Sequence, residues 1–151
     1  RETYKSFLIA VKSNQKALML IDSETKIEKF QFDQVLDFLQ QQWNDVSAEI
    51  DPNCVHLMVQ CMETWFLADT AAIKTFFGKG FQENNLPKHS NIEQIETNAV
   101  LKALKKASEN TRKPYHKGDH SFKILAELDP EKISQKSQWA KRFFDHVSGV
   151  N

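Results

Sequence analysis

The fold class is decided by the stretch Ala17-Leu18-Met19-Leu20-Ile21, which ends at Asp22. An unbroken apolar run closed by an acid is typical of a short strand buried on both faces of a parallel sheet. A second run of this kind, Val55-His56-Leu57-Met58-Val59, follows the turn Asp51-Pro52-Asn53. Because helical patterns lie before, between and after the two runs, the sequence predicts an α/β fold with parallel strands.

Apolar residues spaced three and four apart predict the helices around these strands. We expect an α/β core over residues 1–78 and an all-helical extension over 79–151 packed on it as one compact unit. The expected helices span 3–12, about 32–43, 65–77, about 91–109, about 122–128, and a last one from Pro130 to Val147; loops are expected over 79–90 and Asn110–Asp119.

Length and composition limit the class of protein. A chain of 151 residues with 40% hydrophobic and 26% charged residues can bury one sizeable core. No apolar run approaches the roughly 20 residues that cross a bilayer, so we expect no membrane partner.

Cys54 and Cys61 would lie roughly 23 Å apart along an extended segment, beyond disulfide reach. We therefore expect two reduced thiols in a cytoplasmic protein.

Two strands are few for a parallel sheet, in which inner strands pair on both edges. The chain also opens at Arg1 without an initiator Met. From these two observations we expect a fragment or a processed product whose first strand is absent or supplied elsewhere.

The net charge of zero hides an asymmetry between the two halves of the chain. Residues 1–75 hold 7 Lys and Arg against 11 Asp and Glu, and residues 76–151 hold 13 against 9. An acidic half joined to a basic half suits a site where metal-binding carboxylates face a phosphate-binding surface. The alternative is an ordinary solvated surface with chance segregation of charge.

Three acids form the first candidate site. Ligands of parallel sheets bind at the carboxyl ends of strands, where Asp22 and Glu24 follow the first run two residues apart. In extended geometry both carboxylates project to one side and could hold Mg²⁺ or Mn²⁺. Glu63 follows the second strand and could be a third carboxylate on the same rim. The alternatives are a solvated strand-end pair and, for Glu63, a helix-capping role.

A basic segment forms the second candidate site. Between Lys102 and Lys117 there are six basic residues and one acid, Glu109. Such cations can hold phosphates, and Lys117 can neutralise charge on a reacting phosphate. The alternative is a solvated helix face and loop. The candidate nucleic-acid-binding residues are Lys105, Lys106, Arg112, Lys113 and Lys117.

Other kinds of site are disfavoured. His116 and His120 have the i, i+4 spacing of zinc ligands, but Pro114 and Gly118 argue against the helix that would align them. Serine-hydrolase and P-loop functions are excluded because the chain has neither a GxSxG nor a GxxxxGK[ST] motif.

Several short motifs occur in an order that resembles a known family. They are Asp22-Ser23-Glu24, the stretch His56–Asp69, Phe76-Phe77-Gly78, Leu86-Pro87, Tyr115-x-Lys117-Gly118-x-His120-Ser121 and Leu128-Asp129-Pro130. This series resembles an uncharacterised bacterial domain-of-unknown-function family with a Toprim-like (topoisomerase–primase) core. The resemblance extends from about Ala10 to Phe144.

The resemblance implies a metal-dependent phosphodiesterase or nuclease, often encoded beside an AAA-type ATPase in phage-defence loci. In Toprim-like proteins a Glu ends the first strand, and a D-x-D/E pair that ends a later strand binds Mg²⁺ with it. Asp22 and Glu24 match the pair. The first-strand Glu has no counterpart in this sequence.

Two functions follow as hypotheses. The first is a nuclease in which Asp22 and Glu24 hold Mg²⁺, Glu63 assists, and Lys117 contacts the scissile phosphate. The second is a non-catalytic subunit that binds an ATPase or another partner through an incomplete Toprim-like core. The sequence does not distinguish a DNA substrate from an RNA substrate.

Overall fold

A computed structural model of the chain describes residues 2–27, 32–43, 46–47 and 49–149. For Asp33 it describes the backbone only. Two strands and eight α-helices lie in these ranges, together with short 3-10 turns at 32–34, 52–54, 83–85 and 92–94. The order is α1 (Glu2–Lys12), β1 (Met19–Asp22), α2 (Val35–Trp43), β2 (Val55–Met58), α3 (Glu63–Phe66), α4 (Thr70–Phe77), α5 (Thr97–Ser108), α6 (Lys117–Leu125), α7 (Pro130–Lys136) and α8 (Gln138–Val147).

The two predicted strands form a two-stranded parallel sheet, which confirms the mixed α/β class. The apolar runs are local signals, because a strand that packs on both faces needs apolar residues at successive positions. β1 begins two residues later than its apolar run and includes Asp22 as its last residue. In the described part of the chain beyond β2, every regular element is helical.

The chain divides into two compact units, the first made of Arg1–Ile21 and Glu28–Leu57, the second of Asp22–Ile27 and Met58–Asn151. The division of the chain after residue 78 stays a prediction. In the first unit Tyr4 packs against Trp43 with ring centroids 5.1 Å apart. The Tyr4 hydroxyl also accepts a 2.8 Å hydrogen bond from the backbone N–H of Ser47.

The second unit contains helices α3 to α8, and its first helices correct one prediction. The single helix expected over 65–77 is two helices, because α3 ends at Phe66 and Asp69 caps the start of α4. The Asp69 carboxylate accepts hydrogen bonds from the backbone N–H groups of Ala72 and Asp129 and from Lys132 Nζ at 2.8 Å. Two of these three donors lie far along the chain, so local periodicity could not reveal the break.

The long helix expected over 91–109 is also wrong in its first part. Residues 92–94 form a 3-10 turn capped by Asn91, and α5 begins only at Thr97. The Glu93 carboxylate is buried, accepting hydrogen bonds from the Ser137 hydroxyl and from the Trp139 backbone N–H. These tertiary bonds outweigh the helical propensity of the segment.

Ser137 likewise divides the last predicted helix into α7 and α8, its hydroxyl capping the N–H of Ala140. The loop expected over Asn110–Asp119 ends earlier than predicted, because α6 begins at Lys117. Pro114 stays outside this helix, and Gly118 occupies its first turn, where Asp119 complements the helix dipole.

Gly80 permits a close approach between two loops of the second unit. Its φ is +94°, and a Cβ at this position would lie 2.1 Å from the backbone oxygen of Asn110. The neighbouring Gln82 N–H donates to the Ala107 oxygen at 2.8 Å. Only glycine meets both requirements without displacing the 110–111 backbone.

Among the residues that the structure describes, no helix has both the length and the apolar character needed to cross a bilayer.

Candidate functional site

Three hydrogen bonds join the chain segments that follow β1 and β2. The Ser23 N–H donates to the Met58 oxygen at 3.1 Å, and the Glu24 N–H to the Gln60 oxygen at 2.9 Å. The buried Ser23 hydroxyl accepts the Gln60 N–H at 2.9 Å. Glu24 and Gln60 both have a positive φ, of 59° and 63°, which is uncommon outside glycine and occurs at functional sites. These bonds fix the positions of Asp22 and of the segment leading to Glu63.

Asp22 lies in surroundings that disfavour its charged form. Burial, followed by the negative charge of Glu63, raises the pKa of Asp22 to about 6. A backbone hydrogen bond from Met62 and the positive charge of Lys117 act in the opposite direction. The Oδ1 atom of Asp22 is buried and has no hydrogen-bond partner among the described residues.

Glu63 begins α3 and is fully buried, with 0% of its surface exposed. Its Oε1 atom accepts hydrogen bonds from Tyr115 Oη and Ser121 Oγ, both at 3.0 Å. Its Oε2 atom lies 3.6 Å from Lys117 Nζ and, within the described ranges, accepts no hydrogen bond. A buried carboxylate needs such partners, because burial of an isolated charge is costly.

The hydroxyl groups of Tyr115 and Ser121 form one network around Glu63. They lie 2.9 Å apart, and Ser121 Oγ is also 2.6 Å from the Lys117 backbone oxygen. Burial raises the pKa of the Tyr115 phenol well above its usual range, so the hydroxyl stays protonated and acts as a donor. The network holds the start of α6 against Glu63.

Lys117 is the cation of this site. Its side chain is 58% exposed, although it forms an ion pair with the fully buried Glu63. Its ammonium group therefore neutralises part of the carboxylate charge on one side and faces solvent on the other. The structure thus brings together Asp22, Glu63 and Lys117 of the predicted site residues.

Glu24, the second member of the predicted metal pair, is exposed on the turn after β1. Its charge raises the pKa of Asp22, as the smallest of the influences on that group. In the described part of the chain, no group of three or more His, Cys, Asp or Glu side chains has the arrangement of a metal centre.

The remaining predicted cations are all exposed. Lys105 and Lys106 lie in the last turn of α5, whereas Arg112 and Lys113 line a cavity beside α4 and α6. His116 and His120 are in contact through a hydrogen bond in which the backbone N–H of His116 donates to Nδ1 of His120 at 3.1 Å. Cys54 and Cys61 are both outside any disulfide, as predicted.

Three residues of the site were not singled out for a role by the sequence: Ser23, Tyr115 and Ser121. All three lie inside the motifs that carry the family resemblance, which is the one signal that could have found them. Their roles depend on partners 37, 52 and 58 positions away, so no local pattern shows them.

A family model described as "Domain of unknown function (DUF4276)" matches residues 3–148. The chain therefore belongs to this family, which agrees with its resemblance to an uncharacterised domain family. No curated protein matches it. No solved structure matches it either.

Proposed function

We propose that this member of the DUF4276 family is a metal-dependent phosphodiesterase of Toprim-like type, acting on nucleic acid as a nuclease. The observation that carries the proposal is a pair of buried carboxylate oxygens, Asp22 Oδ1 and Glu63 Oε2, beside the Lys117 ammonium. Neither oxygen accepts a hydrogen bond from a residue that the structure describes. An unpartnered buried oxygen is costly in a folded protein, and at functional sites it marks a position for an ion or a ligand.

The donor set fits Mg²⁺ or Mn²⁺. Both ions take hard oxygen ligands, and Mg²⁺ is commonly held by one or two carboxylates together with substrate phosphates and water. Asp22 belongs to both candidate pairs, with Glu24 as the resemblance implies and with Glu63 as the geometry favours. When bound, the ion would supply positive charge that stabilises the negative charge developing on phosphate oxygens.

The side chains of the chain itself have separate tasks in this proposal. Asp22 and Glu63 hold the ion, and Lys117 contacts the scissile phosphate with its exposed ammonium group. Tyr115 and Ser121 orient Glu63 through Oε1 and leave Oε2 available. Lys105, Lys106, Arg112 and Lys113 contribute positive charge that attracts the nucleic-acid backbone. A role in phage defence beside an AAA-type ATPase is the biological setting that we propose.

Calorimetric titration with Mn²⁺ and a cleavage assay on labelled DNA and RNA test this function together. We expect Asp22→Asn to abolish both Mn²⁺ binding and cleavage. Glu63→Gln and Glu24→Gln then identify the second ligand, since the variant of the true ligand loses the titration signal. The exposed Glu96 offers a matched control, Glu96→Gln, which should behave as wild type. Mn²⁺ binding that is unchanged in Asp22→Asn would remove the metal site and favour the non-catalytic, ATPase-binding alternative.

A further inference from the structure

A cavity of about 370 Å³ in the second unit lies beside the start of α6 and is separate from the carboxylate pair. This volume falls within the range of about 300–1,000 Å³ that small-ligand pockets occupy. Six residues line it: Phe76, Phe77, Arg112, Lys113, His120 and Lys123.

Three rings form the apolar part of this cavity, which we call the aromatic pocket. The ring of His120 packs edge-on against Phe76 and Phe77, with centroids 5.6 Å and 5.8 Å away. Phe81 stacks on the outer side of Phe77, its plane only 8° from parallel. The rings are therefore held by packing and form a preformed apolar surface.

The pocket is lined by three cations. Arg112, Lys113 and Lys123 are exposed, and none of them forms an ion pair with a carboxylate in the described ranges. Burial lowers the pKa of His120, the charge of Asp119 opposes this, and the charges of Lys123 and Lys113 lower the pKa further, so the charged form of the ring is disfavoured. Three like charges around one cavity repel one another, and a bound polyanion offsets that repulsion.

One side chain separates the aromatic pocket from the carboxylate pair. The His120 ring, which lines the pocket, lies 6.3 Å from the Tyr115 ring, and Tyr115 in turn donates to Glu63. A nucleic-acid strand with one phosphate at Lys117 can therefore place a neighbouring nucleotide near the aromatic pocket.

We propose that the aromatic pocket binds an unstacked nucleobase, with the flanking phosphates held by Arg112, Lys113 and Lys123, and that the substrate is single-stranded nucleic acid. A ring surface accepts the face of any base, whereas cations accept the phosphates, and this combination is what single-strand binding sites share. A duplex hides the faces of its bases in the stack and would have to extrude one at a cost. The proposal rests on the proposed function for the identity of the substrate class.

Fluorescence anisotropy in EDTA, which prevents cleavage, measures this binding directly. The probes are labelled strands of about 12 nucleotides, a length within the site sizes of single-strand binding folds. They are oligo-dT, oligo-U, an abasic strand of the same length, and a duplex. We expect both single strands to bind more tightly than the abasic strand and the duplex, and the stronger of the two identifies DNA or RNA.

The pocket variants then assign the contributions. Phe76→Leu should weaken single-strand binding by about 5- to 50-fold and leave abasic binding unchanged, since stacking on one ring contributes about this much. Lys123→Ala should weaken binding of the base-bearing strands and of the abasic strand alike, and should flatten the log–log salt dependence of binding by about 0.7.

Phe122→Leu and Lys5→Ala are matched controls at exposed positions outside the pocket, and both should bind as wild type. Circular dichroism confirms that each variant is folded. If Phe76→Leu is not, the comparison of oligo-dT and oligo-U with the abasic strand on the wild-type protein decides the test.

The results separate this inference from the proposed function. Equal affinity for the abasic strand, tighter binding of the duplex, or an equal loss in Phe122→Leu would overturn the base pocket. If the pocket variants bind normally while cleavage still requires Asp22, the pocket is wrong and the nuclease stands. If Asp22→Asn still cleaves but Phe76→Leu loses affinity, the proposed metal site is wrong and the base pocket stands.

Discussion

Tyr115 donates a 3.0 Å hydrogen bond to Oε1 of Glu63, although 52 positions separate the two residues. Both side chains are buried, and the phenol keeps its proton because burial raises its pKa. The bond connects the segment before α6 to the first residue of α3. It thereby orients the one carboxylate of the site that is fully buried.

Tyr115→Phe tests what this bond contributes. Removing the hydroxyl leaves the Glu63 carboxylate with one donor fewer, and hydrogen bonds to charged groups contribute about 1.5–3 kcal/mol. We expect the free energy of unfolding, measured by urea denaturation, to fall by about that amount. Tyr4→Phe is the matched control, because Tyr4 bonds to a neutral backbone N–H and should lose only about 1 kcal/mol. A smaller loss in Tyr115→Phe than in Tyr4→Phe would contradict this role.

Asp22 should make the stability of the protein depend on pH. Its pKa is about 6 in the folded chain and 3.8 without the fold, so the folded state binds more protons between these values. The free energy of unfolding should therefore fall as the pH rises through this window, by at most about 3 kcal/mol from this group. Asp22→Asn removes the buried charge, and its gain in stability should be full above about pH 6 and absent below about pH 4.

Urea denaturation in EDTA across that pH range measures the difference between Asp22→Asn and wild type. Asp37→Asn makes the same chemical change at an exposed position of α2 and should give no such pH-dependent gain. A constant difference between Asp22→Asn and wild type at every pH would show that the Asp22 carboxylate is not held in a charge-disfavouring site.

The basic residues should fall into two functional groups. If Lys105, Lys106, Arg112 and Lys113 attract the backbone, each Ala variant should flatten the log–log salt dependence of binding by about 0.7 to 0.9. Lys117→Ala should bind nearly as wild type but cleave about 100-fold more slowly or worse, since its ammonium stabilises charge in the transition state. Equal and small effects at all five positions, measured by anisotropy and single-turnover cleavage, would mean that the cluster is a solvated surface.

Gly80→Ala should destabilise the second unit. The added methyl group would collide with the Asn110 carbonyl, and the positive φ of residue 80 disfavours alanine independently. We expect a loss of about 2 kcal/mol or more in the free energy of unfolding. Gly78→Ala is the control, because it also has a positive φ but no atom within 4 Å of the added methyl. It should cost clearly less.

The sequence predicted those parts of the fold that depend on neighbouring residues. The apolar runs that end at Asp22 and at Val59 predicted the strands, since burial on both faces leaves a signal in consecutive positions. The spacing in residues 3–12 predicted α1 in the same way. The rule that ligands bind where parallel strands end selected Asp22, Glu24 and Glu63 as candidate ligands, and their role stays a prediction.

The breaks and contacts that depend on distant partners could not be predicted. The helix expected over 65–77 gave no local sign of a break before Asp69, because the bonds from Asp129 and Lys132 come from elsewhere in the chain. The start of α6 was missed because Pro114 and Gly118 both suggested a loop. The pairing of Glu63 with Tyr115 is likewise a property of the folded chain.

The hydrogen bond from the Gln60 N–H to the Ser23 hydroxyl sets the register in which the two strand ends meet. Side chains alternate between the faces of a sheet, so a slip of one residue would turn Asp22 to the opposite face. A single-residue insertion or deletion within β1 would therefore dismantle the carboxylate pair even where the apolar pattern still allowed a sheet. The site depends on segments 37 positions apart in the chain, so a peptide that contains only one of them would lack it.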